Sequence, residues 1–502
     1  MVIEIVTVLS ILAGGVILIR TTGINGFFLP GVGFVMGVCL YILIGTVQAL
    51  TPLPTSPIIT LGLTLTLPLI CWLYSSYRGK DISIAPLPAA LFLACVVIAI
   101  AIFRELKLVS VTVDSFYYLT IGSLLEGNNL NHASPFLLLT RLLAIPLLHA
   151  PANMSGEFYL RSVTPILAIS SLTCLAWLVY EGLRVQVKNL CMVKLFSIVA
   201  VLLLVTNNRF VHNAFYINGH LLTAVLLLLL VGCGWLIIQK SELSSQALIR
   251  IQLITIPVLT VTRPETSLLA IMALVPFLTS DQVDRGKRIL ILVAIGVSII
   301  AWHGYLWIKF SSAGENVPQA VIGMLAFGIG VLLIIPLITW RKVDHVLAKS
   351  NILVESSLWL ILLVFAYQNP GPLSKSIDAT QKNLMLDYGG WGISLLVIGF
   401  IALGILLFTQ AKNRLFLRFP LTAFIPFSFL LVYLREGDYR VGFGDSLNRM
   451  IVHIVPLAIL FIVSAAASER WGFSERAVFY WELLVNSVKK QFLNINKLGG
   501  IQ

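Results

Sequence analysis

LLTAVLLLLLVGCGWLII, Leu221–Ile238, decides the fold: the run holds one hydroxyl and no charge. A helix of this composition is apolar on nearly every face and offers no side to water. At 1.5 Å per residue it is about as long as the hydrocarbon core of a bilayer is thick, ~30 Å. A membrane β-barrel would alternate polar and apolar residues, which this run does not.

Comparable runs recur along the whole chain. They predict spans at about 3–19, 30–48, 58–75, 87–103, 161–180, 195–206, 221–239, 251–262, 267–279, 289–308, 320–340, 352–367, 391–409, 419–434 and 451–468, fifteen crossings in all. Of the 502 residues 58% are hydrophobic and 11% charged, whereas a soluble domain carries roughly a quarter charged residues. The expected class is therefore an all-α polytopic membrane protein. Ile5–Ile19 lacks a basic n-region and a small-residue cleavage site, so it reads as a retained span. The six cysteines lie in or beside apolar runs without close pairs, the pattern of small core residues and not of disulfides or zinc ligands.

The formal net charge of +12 is explained by topology before nucleic acid, and no nucleic-acid partner is expected. If Arg20, the loops around Arg78, Arg184, Lys240, Arg285, Arg341 and Lys412, and the C-terminal tail share one side, that side holds 22 of the 34 Lys and Arg residues. The positive-inside rule makes it cytoplasmic. Phe136–Leu148 is short and carries Arg141 and Pro146, so it reads as an interfacial helix in one long outer loop, about Phe103–Tyr159. The runs 251–262 and 267–279 form a short hairpin around Arg263-Pro264-Glu265, turning either within the membrane or at its outer surface. Glu469–Gln502 is cationic and amphipathic and suits the anionic cytoplasmic leaflet.

Polar chemistry gathers on the outer side. Asp114 opens DSFYYL, beside Tyr117 and Tyr118. A partly desolvated carboxylate suits a general base toward a hydroxyl, and an Asp there equally caps a helix starting at Ser115. NNRFVHNAFYINGH places Arg209, His212 and His220 in one short connector, where cations suit a phosphate and amides a carbohydrate; a solvated loop with an aromatic belt is the plainer account. Arg263 beside Glu265 is either a site near the membrane or a structural ion pair. The last outer loop, REGDYRVGFGDSLNRMIVHIVP, brings Arg440, Arg449 and His453. On one helix Arg449 and His453, four apart, would point the same way toward a phosphate, while snorkelling competes as an account of Arg449. No His, Cys or carboxylate spacing indicates a metal, and no phosphate loop indicates ATP.

With DSFYYL in a long first outer loop, the loop ending at His220, the Arg263–Glu265 turn and the NRMIVHIVP entrance, the chain from about Leu87 to Ala467 resembles the GT-C superfamily of polytopic glycosyltransferases, the group of protein mannosyltransferases and aminoarabinose transferases. The resemblance implies a GT-C-like transmembrane helix bundle with interfacial helices in that first loop. It divides the chain into extra N-terminal helices (1–86), a catalytic module (87–468) and an amphipathic tail (469–502). It implies inverting transfer of a sugar from a polyprenyl-phosphate-linked donor to a lipid, glycan or protein acceptor, at the outer (periplasmic) face of a bacterial plasma membrane. No cofactor is implied. Asp114 would be the base; Tyr117, Arg209, His212, His220, Arg263, Glu265, Arg440, Arg449 and His453 are the residues expected to bind substrate or donor phosphate. Two departures stand out: Ser115 follows Asp114 where many members carry a second acid, and three apolar spans precede the usual first one. A transporter or lipid-linked-saccharide flippase, or an enzyme like the O-antigen polymerases and ligases, is the competing expectation.

Overall fold

The computed structural model describes residues 2–20, 27–51, 56–77, 86–126, 130–336, 344–408, 415–434 and 437–467. The predicted tail, Arg435 and Glu436 lie outside them. The first half runs through α1 (Val2–Arg20), α2 (Leu29–Leu50), α3 (Pro57–Tyr77), α4 (Pro86–Leu106), α5 (Val113–Glu126), α6 (Pro135–Thr140), α7 (Ala144–His149), α8 (Val163–Leu183), α9 (Leu190–Val205), α10 (Asn208–Ala214) and α11 (His220–Ile238). The second half comprises α12 (Ser245–Thr260), α13 (Thr266–Thr279), α14 (Arg285–Ser312), α15 (Gln319–Leu333), α16 (Asp344–Gln368), α17 (Pro370–Met385), α18 (Ser394–Phe408), α19 (Leu415–Leu434), α20 (Ser446–Ile451) and α21 (Val455–Ala466). The protein is an all-helical, multi-pass membrane protein.

Every predicted span coincides with a helix, but the fifteen-fold count does not carry over by length. Among the described residues eight helices are long and apolar enough to cross a bilayer, or nine if the bent pair α9–α10 is one span. Shorter apolar helices such as α12, α13 and α21 pack within the bundle, where protein neighbours take the place of lipid. Pro257 and Pro276 interrupt the first two of these near their ends. Helices the sequence reading did not single out include α10 and the amphipathic α17.

Helix α11 is the axis of the bundle, packed against α8, α10, α12, α13, α19 and α21. All its residues from His220 to Ile237 are buried, as expected for a helix that is apolar all round. The N-terminal helices are packed into this body: α2 touches α7, α8 and α12. Helices α1 and α2 cross so closely that a Cβ on Gly15 would lie 1.8 Å from the Gly33 carbonyl oxygen, and one on Gly37 1.9 Å from that of Ile11. Without a hydrophobic drive between helices in lipid, such small-residue contacts let dispersion and backbone proximity hold them.

A buried acid ties this pair to the rest. Glu4, 3% exposed, accepts from Ser162 N and Oγ at 2.7 Å each, at the start of α8. Arg104 at the end of α4 reaches Glu4 at 3.6 Å and Glu157 at 2.9 Å. The starts of α1 and α8 and the end of α4 therefore share one end of the bundle, as the predicted alternation requires. Phe136–Leu148 is not one helix: it breaks at Arg141 into α6 and α7, and every residue of α7 is buried, so it is packed within protein instead of lying in the headgroups.

Replacing Gly37 with Val should overpack the α1–α2 crossing and lower stability by about 1–3 kcal/mol. Thermal unfolding in detergent checks this: a drop in Tm relative to wild type is expected, while Gly62→Val, where nothing lies within 4 Å, should leave it nearly unchanged.

Candidate functional site

The segment before α5 is stitched to the one after α10. Ser110 pairs with Tyr216 in a parallel bridge, with Ser110 N donating to the Phe215 carbonyl at 2.9 Å. Thr112 Oγ1 donates to Tyr216 Oη at 3.1 Å, and buried Ser115 donates to the Ile217 carbonyl at 2.9 Å. A second acid at position 115 would set a carboxylate against that carbonyl oxygen, which gives the serine a physical reason. The α5 helix begins at Val113, one residue before the predicted acid, and Thr112 accepts from Ser115 N at 3.5 Å as its cap. Asp114 is thereby relieved of the capping role and turns outward from the first turn.

Its carboxylate lies between two guanidiniums. Arg141 Nη2 donates to Oδ1 at 2.6 Å, and Arg449 Nη1 to Oδ2 at 2.5 Å. Burial pushes the carboxyl up, but the hydrogen bonds and charges of Arg449 and Arg141 outweigh it and hold the group below its ordinary value. Arg141, not among the predicted site residues, sits where α6 ends; its guanidinium lies 5.8 Å from the Tyr117 ring and 5.6 Å from that of Tyr118. The sequence did signal it, as a charge inside a short apolar helix.

The bend after α9 aims the next cation. Asn207 caps α10 by accepting from Phe210 N at 2.9 Å, and α10 leaves α9 at 76°, so it does not continue the crossing. Arg209 then donates to the Phe443 carbonyl at 2.5 Å and stacks 3.8 Å from the Phe443 ring. Burial, and after it the charge of Arg449, bring Arg209 down to about 10, so it stays a cation at neutral pH. His212 packs edge-on against Phe443 at 4.6 Å, and burial with Arg209 nearby lowers its pKa, favouring the neutral imidazole.

These groups share a cavity of about 400 Å³ lined by Asp114, Arg209, His212, Tyr216, Phe443 and Arg449 among others. Of the charged residues in the lining, Arg209 and Arg449 stand against Asp114; Arg141 reaches Asp114 from outside the lining, and Asp445 is occupied in accepting the backbone N–H groups of Arg440, Leu447 and Asn448. Two cations against one anion leave the charged lining a formal +1, and a cavity so charged favours an anion. The aromatic walls provide flat apolar faces of the kind that sugar rings pack against.

The other predicted residues fall outside the lining. Arg440 is exposed and contributes its backbone alone, holding Asn383 and Asp445. Arg263 donates to Glu265 at 2.7 Å, an ion pair with the carboxylate 1% exposed. Buried His220 and His453 stack, with Nδ1 and Nε2 2.9 Å apart. Arg449 and His453 do not share a helix face: α20 stops at Ile451, because the Pro456 ring excludes a helical carbonyl at Val452. Arg449 therefore faces the cavity and His453 the bundle interior. Among the described residues no group of three or more His, Cys, Asp or Glu is placed to hold a metal.

Replacing Asp114 with Asn should leave Arg141 and Arg449 facing each other and cost about 1–3 kcal/mol, between the values for exposed and buried pairs. Because the folded carboxyl lies below its ordinary value of 3.8, the contribution is complete above that pH and is lost as the pH falls below it. Unfolding followed from neutral pH to acid should show wild type and Asp114→Asn converging at the acid end; a gap that persists there would contradict the assignment. In comparisons with family models, curated proteins and solved structures, the chain matches none.

Proposed function

We propose that the protein is a membrane glycosyltransferase of GT-C type, which moves a sugar from a polyprenyl-phosphate-linked donor to a hydroxyl-bearing acceptor at the non-cytoplasmic face. One observation carries this reading: an acid and two guanidiniums, drawn from three separate stretches of chain, line one cavity, and a third guanidinium, that of Arg141, holds the same acid. An anion with an aromatic-walled space beside it fits a phosphate joined to a sugar, and a cavity among apolar helices suits a donor with a lipid tail.

In the proposed step Asp114 takes the proton of the acceptor hydroxyl. The acceptor oxygen attacks the anomeric carbon, and the bond from that carbon to the phosphate oxygen breaks with inversion. The electron pair leaves on the phosphate, where Arg449 and Arg209 stabilise the growing charge. Both oxygens of Asp114 are taken by arginines, and a carboxylate so held is a weak base. A donor phosphate competes for the same guanidiniums. As Arg141 and Arg449 turn to it, Asp114 loses the charges that depress its pKa and becomes able to accept a proton. Donor therefore binds before acceptor.

That same double ion pair favours a second reading, in which the cavity binds a lipid-linked saccharide for translocation and Asp114 only holds the arginines apart. Purified protein in liposomes with a polyprenyl-phosphate sugar separates the two. Transfer, or slow hydrolysis of the donor, is expected, with Asp114→Asn reducing turnover by about 10²–10⁴-fold and Arg449→Gln lowering kcat as well as raising KM for the donor. Full activity of Asp114→Asn would remove the base assignment; flipping without any glycosyl product would favour the transporter.

A further inference from the structure

A second cavity, of about 710 Å³, lies at the opposite end of the α8–α9 pair from the Asp114 site. Helix α9 carries Lys194 at this cavity and reaches the bend before Arg209 about twelve residues later, so the charged end of the cavity lies on the order of 20 Å along α9 from that bend. Its walls differ sharply along their length. One end presents Glu181, Arg184 and Lys194; from there Ser197, Val201 and Leu202 continue along α9 as a mostly apolar face. Phe28 leans on Tyr180 at 5.5 Å between ring centres and closes the side toward α2.

The polar end is incompletely matched by protein. Arg184 is paired with Glu242 and lies 3.4 Å from Glu181. Glu181 is 5% exposed, and its Oε2 accepts no hydrogen bond despite that proximity. A buried carboxylate oxygen without a donor costs free energy unless something supplies one. Lys194, an exposed side chain at the cavity, has no carboxylate within ion-pair distance among the described residues. The space thus offers, in order, a cation, a donor-starved carboxylate and a long apolar wall.

We infer that this cavity holds one phospholipid from the adjacent leaflet, of the class whose headgroup carries a primary ammonium, such as phosphatidylethanolamine. Its phosphate meets Lys194 and Arg184, its ammonium donates to Glu181, and one acyl chain lies along α9 from Ser197 to Leu202. A choline headgroup has the same charges but no N–H to give, so Glu181 selects against it. An apolar helix face at a bilayer is covered by lipid chains in any case; the charges at its end convert a passing lipid into a resident one. The lipid would brace the end of α9 remote from Arg209, and the inference stands whether or not the other cavity performs transfer.

Full-length protein purified from membranes containing phosphatidylethanolamine and phosphatidylcholine in equal amounts, examined by native mass spectrometry, tests this. One phosphatidylethanolamine per chain should survive conditions that strip other lipids. Lys194→Gln should lower its retention about fivefold, the effect of one cation at a lipid headgroup. Glu181→Gln should abolish the preference for ethanolamine over choline. Val201→Trp fills the apolar wall, leaves the charges in place and should expel the lipid; it guards against a charge variant that simply misfolds. Wild-type protein that holds no such lipid, including the case where residues 468–502 occupy the space, would overturn the inference. So would retention unchanged in both Lys194→Gln and Val201→Trp.

Discussion

Asp114 held between Arg141 and Arg449 is the contact on which this end of the bundle depends. It joins the first turn of α5 to the break between α6 and α7, 27 residues on, and to the short helix α20, 335 residues on. Each partner alone would be a charge at the edge of hydrocarbon, where isolated ions are costly. Together they are neutralised to a single residual positive charge, which is low enough to fold and high enough to attract an anion. The side chains are a fifth to a third exposed, so water keeps the pair exchangeable; a fully dry pair would be a fixed strut.

Much of the helical framework was legible in the sequence because bilayers impose a length and a composition on whatever crosses them. The extent of α11 follows from an unbroken apolar run. Its place at the centre of the bundle did not, since hydropathy alone does not separate a helix facing lipid from one facing other helices. The polar cluster was partly legible: Asp114, Arg209, His212 and Arg449 stood out as polar groups in otherwise apolar surroundings, and they line one cavity. Arg141 was read as a mark of an interfacial helix, because its partner lies 27 residues away and no local pattern announces the pair. Arg440 was grouped with its neighbours by proximity in sequence, yet the loop uses its backbone and leaves the side chain outside.

Single residues decide where helices stop, and those stops decide what the site contains. Pro456 ends α20 after six residues, and this sends Arg449 and His453 to different environments despite their i, i+4 spacing. Ser115 shows the same economy in reverse: a hydroxyl pulled onto the Ile217 carbonyl fastens α5 to the approach of α11 and leaves Asp114 as the acid at the cavity. The acid in the first turn of α1 has a comparable role far from the cavity. Glu4 satisfies the start of α8 and draws Arg104 inward, so the N-terminal helices are mechanically continuous with the helices that carry the site.

The turn between α9 and α10 hinges on Asn207, whose carbonyl oxygen accepts from Phe210 N and whose amide donates to Ser394 Oγ at 3.1 Å. Two hydrogen bonds from one amide thus anchor a corner to a neighbouring helix at a depth where lipid supplies no substitute. A residue that let α9 run straight would carry the Arg209 guanidinium along the old axis and away from the Phe443 ring. The reach of that cation is accordingly a property of the corner, inherited by every ligand that enters from the water side.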